Sequence, residues 1–196
     1  MRLLFIFVVL FSFNLNAKTI LILGDSLTEG YQLAKEEAYP AIVERELRKS
    51  HENIKVINGG VSGATSASGS RRLDWYLKAK PDIIILALGA NDGLRGLKIS
   101  ETEKNLSLAI EKAQKSGITV ILAGMKMPTN MGEPYRSQFE KIFTSLAKKY
   151  SLKLLPFLLD GVGGKPQFNL PDGIHPNPKG HEIMARSVLK ILEKEL

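Results

Sequence analysis

Cysteine is absent from the 196 residues, and histidine occurs only three times, at positions 51, 175 and 181. Without a thiol there is no disulfide, no thiolate nucleophile, no thiolate metal site and no N-terminal lipid thioether. The histidines form no H-x-H or H-E-x-x-H pair, which removes the common imidazole chelates. The first apolar run ends in GDSLTEG and not in G-x-G-x-x-G, and no G-x-x-x-x-G-K-[ST] loop occurs, so neither nucleotide fingerprint is present. Internal repeats, low-complexity tracts and linkers are also missing. No cofactor and no metal are expected.

Long apolar runs are scarce too. The one that stands out is LLFIFVVLFSF, residues 3–13, which follows Arg2 and leads through NLNA to Lys18. A basic start, a short apolar stretch and a small residue at Ala17 read as a secretory signal peptide over 1–17, with a single mature domain over 18–196. The run is short for a membrane span. This predicts a periplasmic or secreted protein with no stable membrane insertion after cleavage. The formal net charge is +7, and Arg2 is the only charge in 1–17, so the mature chain carries +6. Lysines are spread along helical polar faces and not gathered in a block, which predicts a solvated basic surface and no nucleic-acid partner. Nothing in the pattern demands more than a monomer.

Five apolar runs recur with room for helices between them: 19–24, 54–58, 82–89, 118–124 and 152–158. The central ones are rich in Ile, Val and Leu without clean alternation, as in a parallel sheet covered on both faces. Helical patterns fill the gaps at 39–49, 68–78, 101–115, 135–150 and 179–195. Their stripes include Leu73, Trp75 and Tyr76 in the second and Leu106, Leu108 and Ile110 in the third, and these aromatics are expected in the core. The alternation predicts an α/β protein: a three-layer α/β/α sandwich on a five-stranded parallel sheet.

In such folds ligands bind beyond the carboxyl ends of the strands. The five loops there are GDS, NGGVSGATS (58–66), GANDGLRG (89–96), GMKMPTNMG (124–132) and LPDGIHPNPKG (170–180). Asp25, Asp92, Asp172 and His175 would make a carboxylate-rich divalent site at best, whereas the set suits nucleophilic acyl transfer directly. A serine hydroxyl needs a base, and that base needs an orienting group. Ser26 is the candidate nucleophile, His175 the base and Asp172, three residues before it, the orienter. His181 is read as structural or exposed and His51 as solvated. The Ser26 and Gly63 amides are candidate oxyanion donors, with the Asn91 side chain as a third or as a turn cap. Asp92 is read as support for the Asn91 loop. Leu94, Met127 and Pro128 are expected to touch an acyl chain, with Met125 in the core.

The four blocks Gly24-Asp25-Ser26-Leu27, Gly63 in VSGATS, Gly89-Ala90-Asn91-Asp92 and Asp172-Gly173-Ile174-His175 occur in the order typical of the GDSL, or SGNH, hydrolase superfamily, which the chain resembles over the whole of 18–196. LILGDSLTEGY, LGANDGLRG and DGIHPN are similar to its branch of bacterial periplasmic thioesterases and lysophospholipases. The resemblance implies the SGNH, flavodoxin-like form of the sandwich. It also implies Ser26 as nucleophile, Ser26, Gly63 and Asn91 as oxyanion donors, and the Asp172–His175 pair. The activity implied is hydrolysis of acyl esters or thioesters through an acyl-enzyme, with carbohydrate or peptidoglycan O-acetyl esters as the alternative. One position departs: Ala64 stands where that branch has an acidic residue after the glycine.

Overall fold

The computed structural model describes residues 18–196; the expected signal segment, 1–17, lies outside the described residues. Chain order begins with β1 (Thr19–Gly24) and a single-turn helix α1 (Ser26–Glu29). Then come α2 (Tyr39–Leu47), β2 (Lys55–Gly60), α3 (Gly69–Tyr76), β3 (Ile83–Ala87), α4 (Ala90–Leu94) and α5 (Ile99–Lys115). The chain ends with β4 (Thr119–Ala123), α6 (Glu133–Lys149), β5 (Lys153–Leu155) and α7 (Pro178–Leu192). All strand pairs are parallel, in the order β2-β1-β3-β4-β5. This is the flavodoxin-like arrangement, whose switch point lies between β1 and β3.

The three central strands carry the core. Ile20–Leu23, Ile83–Ala87 and Val120–Ala123 are buried along their length, because helices cover both faces. One layer pairs α2 with α7 and the other packs α5 between α3 and α6. At the β2 edge, side chains cover two backbone donors: the Val56 N–H donates to Glu44 (3.4 Å) and the Gly60 N–H to Asn58 (2.9 Å), which blunts a pairing surface.

Two of the apolar stripes expected in the core divide between core and solvent. Leu73 is buried but Trp75 is 79% exposed, and Leu106 is buried while Leu108 is exposed. Residues two apart on a helix lie about 200° from each other around the axis, so each pair straddles both faces. The fifth strand stops at Leu155, ahead of the expected 158: the next bond to the end of β4 comes from the Leu158 N–H to the Gly124 carbonyl (3.0 Å), one residue out of step with the ladder. The second runs on to Gly60. There Gly60 passes so close to α1 that a Cβ would sit 2.1 Å from the Glu29 nitrogen.

Candidate active site

The carboxyl end of β1 delivers Ser26 to the switch point. Asp25 caps α1 by accepting from the Leu27 N–H (3.0 Å), which sets the turn and puts Ser26 at the first helical position. Amides there lack intrahelical partners, so the Ser26 N–H is available to an anion. Arg72 ties the neighbouring strand ends together: its guanidinium donates to the Gly24 carbonyl (2.9 Å) and to the Gly59 carbonyl.

The base comes from the loop before α7. Gly173 turns the chain at φ 69°, and the Leu170 N–H donates to the His175 carbonyl (2.7 Å) to close the loop. Asp172 Oδ1 accepts from the N–H groups of Ile174 (2.8 Å) and His175 (2.9 Å), while Oδ2 lies 2.7 Å from His175 Nδ1. A carboxylate can only accept, so the ring carries its proton on Nδ1. Nε2 is then left as an acceptor, and Ser26 Oγ stands 3.0 Å from it. Burial acts to raise the Asp172 pKa, but the hydrogen bonds from His175 and Ile174 outweigh it and hold the carboxyl at about 2. Asp172 is therefore charged at any working pH.

Gly63 and Asn91 meet through a web of polar contacts. The Asn91 amide donates to the Ala64 carbonyl (3.0 Å), which uses one of its two protons. Arg95 donates to the Gly63 carbonyl (3.2 Å) and reaches Asn91 Oδ1 (3.5 Å). From the other side, Glu29 accepts from the Ser62 N–H (2.7 Å) and the Ser62 hydroxyl. Gly63 adopts φ 75°, and its own N–H has no protein acceptor among the described residues. Asp92 is buried and accepts from the Ser66 N–H (2.8 Å), the Ser66 hydroxyl (2.5 Å) and Thr102 (3.4 Å), pinning the Gly63 loop to α4.

Leu94 and Pro128 are exposed, whereas Met127 is only 4% exposed. Its sulfur fills the space beside Gly93, 2.2 Å from where a Cβ there would lie, and it shares that space with Phe139. Met127 thus packs against α4, with little of its side chain at the surface. His181 is buried, and its Nδ1 accepts from the Tyr39 N–H (3.0 Å); burial, then the His175 charge, press its pKa down to about 4.

Two neighbours escaped the sequence reading. The Tyr31 ring lies 4.4 Å from the His175 ring, seven residues along from Gly24 and inside the first motif. Asp25 itself is buried, and desolvation, partly offset by the Leu27 amide, pushes its carboxyl up to about 6. Among the described residues no group of three or more His, Asp or Glu side chains is placed to hold a metal. No helix among them is long and apolar enough to cross a membrane.

A hydroxyl, an imidazole and a carboxylate in one hydrogen-bonded line, beyond the sheet of a flavodoxin-like sandwich, define a serine hydrolase. The chain belongs to the GDSL-like Lipase/Acylhydrolase family, whose pattern it matches over residues 22–183. It is 37% identical over 191 residues to the Thioesterase 1/protease 1/lysophospholipase L1 of Escherichia coli K12, covering 96% of this chain and 90% of that one. It is 36% identical over 181 residues to an arylesterase of Vibrio mimicus, covering 92% and 90%. The solved structure of a psychrotrophic esterase, EstA, from Pseudoalteromonas sp., inhibited by monoethylphosphonate, superposes with a TM-score of 0.85 at 31% identity. That match covers 90% of this chain and 97% of that one.

Proposed function

We propose that this hydrolase cleaves acyl esters and thioesters, including lysophospholipids, through an acyl-enzyme on Ser26. The supporting observation is the line Ser26 Oγ–His175 Nε2 (3.0 Å) and His175 Nδ1–Asp172 Oδ2 (2.7 Å). His175 takes the Ser26 proton as Oγ attacks the acyl carbonyl. The N–H groups of Ser26 and Gly63 and the second Asn91 amide proton receive the oxyanion. The imidazolium, steadied by Asp172, then protonates the leaving oxygen or sulfur, and water activated by the same ring releases the acid. Leu94 and Pro128 offer apolar surface to the acyl chain.

The relatives named as a thioesterase–lysophospholipase and an arylesterase support a tolerant acyl site. The leader-like segment at 1–17 supports export to the periplasm or beyond, where membrane-derived esters outnumber coenzyme A thioesters; the mature unit is 18–196. The test is Ser26→Ala on a panel of esters and thioesters. Loss of at least about 10⁴-fold in kcat is expected for every substrate that the wild type cleaves. Unchanged hydrolysis would remove Ser26 from the mechanism. An ethyl phosphonate ester that carries a p-nitrophenyl leaving group should label the wild type at Ser26 alone, releasing one p-nitrophenol per site.

A further inference from the structure

We infer that a cleft of mixed polar and apolar lining along the β2 edge holds the alcohol half of the substrate and selects esters of hydroxyl-rich alcohols. This rests on the acyl-hydrolase reading above and extends it to the leaving group. The Nε2 that takes the Ser26 proton must return it to the departing oxygen, so the alcohol half emerges beside the imidazole. The ring packed on that imidazole is Tyr31, 4.4 Å away. Tyr31 is also one wall of a cavity of about 700 Å³ that runs between the segment after α1, α2 and the outer side of β2. Cavities of that size are typical of small-molecule sites.

The position of the cleft separates the two halves of an ester. In the sheet, β2 and β3 flank β1 on opposite sides. The apolar Leu94 follows β3, and the cleft follows β2, with Ser26 on β1 between them. An acyl chain directed to the β3 side leaves the alcohol on the β2 side.

The lining sets the ligand chemistry. Glu29, Gln32, Lys35, Glu44, Asn58 and Ser62 all contribute to the cleft wall. Glu29 Oε2 holds Ser62, which leaves Oε1 without a partner among the described residues. Glu44 is engaged by Arg48 (2.7 Å), while the side chains of Gln32 and Lys35 have no hydrogen bond among the described residues. Donors and acceptors are thus mixed, and a hydroxyl both donates and accepts. Glu44 is matched by Arg48, so one carboxylate, Glu29, stands against one ammonium, Lys35, and the lining carries no surplus charge to draw in or repel an ionic alcohol. Glycerol and saccharide hydroxyls share the favoured chemistry.

Three octanoyl esters hold the acyl half constant: ethyl octanoate, 1-octanoylglycerol and the octanoyl ester of methyl glucoside. The ethyl group has no hydroxyl to pair with the cleft wall, so the readout is the ratio of kcat/KM for each polyol ester to that for the ethyl ester. The wild-type ratio should exceed one. Ala41→Trp, which fills the cleft from α2, should lower it about tenfold, the worth of two or so neutral hydrogen bonds. Which polyol ester carries the drop identifies glycerol or saccharide as the natural source. An unchanged ratio overturns the cleft assignment and leaves the hydrolase reading intact. A wild type that cleaves none of the three esters overturns both. Should Ala41→Trp fail to fold, the double variant Gln32→Gly/Lys35→Ala decides by the same ratio. It touches only exposed residues, and Gln32 already sits at φ 61°, where glycine is at ease.

Discussion

Asp172 makes three hydrogen bonds with two oxygens, and their division predicts how its loss is felt. Oδ1 shapes the loop through two backbone N–H groups, and Oδ2 fixes the imidazole tautomer. In Asp172→Asn the carbonyl oxygen can keep the loop, but the amide then presents N–H groups to Nδ1. The ring proton moves to Nε2 and faces Ser26, so the base is lost in the dominant tautomer. Asp172→Asn should therefore fall about 10⁴-fold in kcat, while His175→Ala, which removes the base altogether, should fall about 10⁶-fold. Circular dichroism should show both folded. A loss of less than about tenfold in Asp172→Asn would mean that another acid orients His175. Because hydrogen bonding holds Asp172 at about 2, its protonation cannot account for any loss of activity above about pH 3.

Between elements, closeness of backbones decides which glycines are irreplaceable. A Cβ at Gly60 would meet the Glu29 nitrogen at 2.1 Å and its Cα at 2.5 Å, and neither can rotate aside. At Gly93 it would meet the Met127 sulfur at 2.2 Å, the end of a flexible side chain. Gly60→Ala should cost about 3 kcal/mol or more, by parting α1 from β2, and Gly93→Ala about 1 kcal/mol. Urea denaturation of both variants checks the order, and a reversal would show that α1 and β2 can separate cheaply. The same closeness marks what could be read from the chain alone. Strands β1, β3 and β4 were legible because central parallel strands are apolar on both faces, Ser26 because it follows the end of β1, and Asp172 and His175 because three residues separate them in one short motif before α7. Trp75 and Leu108 face solvent because each lies about 200° around the helix axis from a buried neighbour two residues away, an angle that composition does not carry. The burial of Met127 was not legible because its partner, Gly93, is distant in sequence and the fit depends on a missing side chain. Tyr31 could not have been assigned, since the contact with His175 exists only once α1 and the α7 loop meet.

Across the whole molecule, two buried groups pull stability in opposite directions as pH changes. Asp25 titrates at about 6 in the folded protein against 3.8 in an unconstrained chain. Between those values the folded state holds a proton that the unfolded state has lost, so stability falls as pH rises. His181 titrates at about 4 against 6.5. Between those values the unfolded state holds the extra proton, so stability rises with pH. Each slope is at most about 1.4 kcal/mol per pH unit, and between about pH 4 and 6 they nearly cancel. Asp25→Asn removes one of them, and its amide oxygen can still accept from the Leu27 N–H that Asp25 engages. The wild type should thus be nearly flat in urea stability at pH 4, 5 and 6, while Asp25→Asn should gain about 1 kcal/mol per unit over the same range. A variant with the same slope as the wild type would show that Asp25 is ionised in the fold throughout. The carboxylate beside the nucleophile would then be a permanent charge facing Ser26 and His175, and not a group that the fold keeps neutral in mild acid.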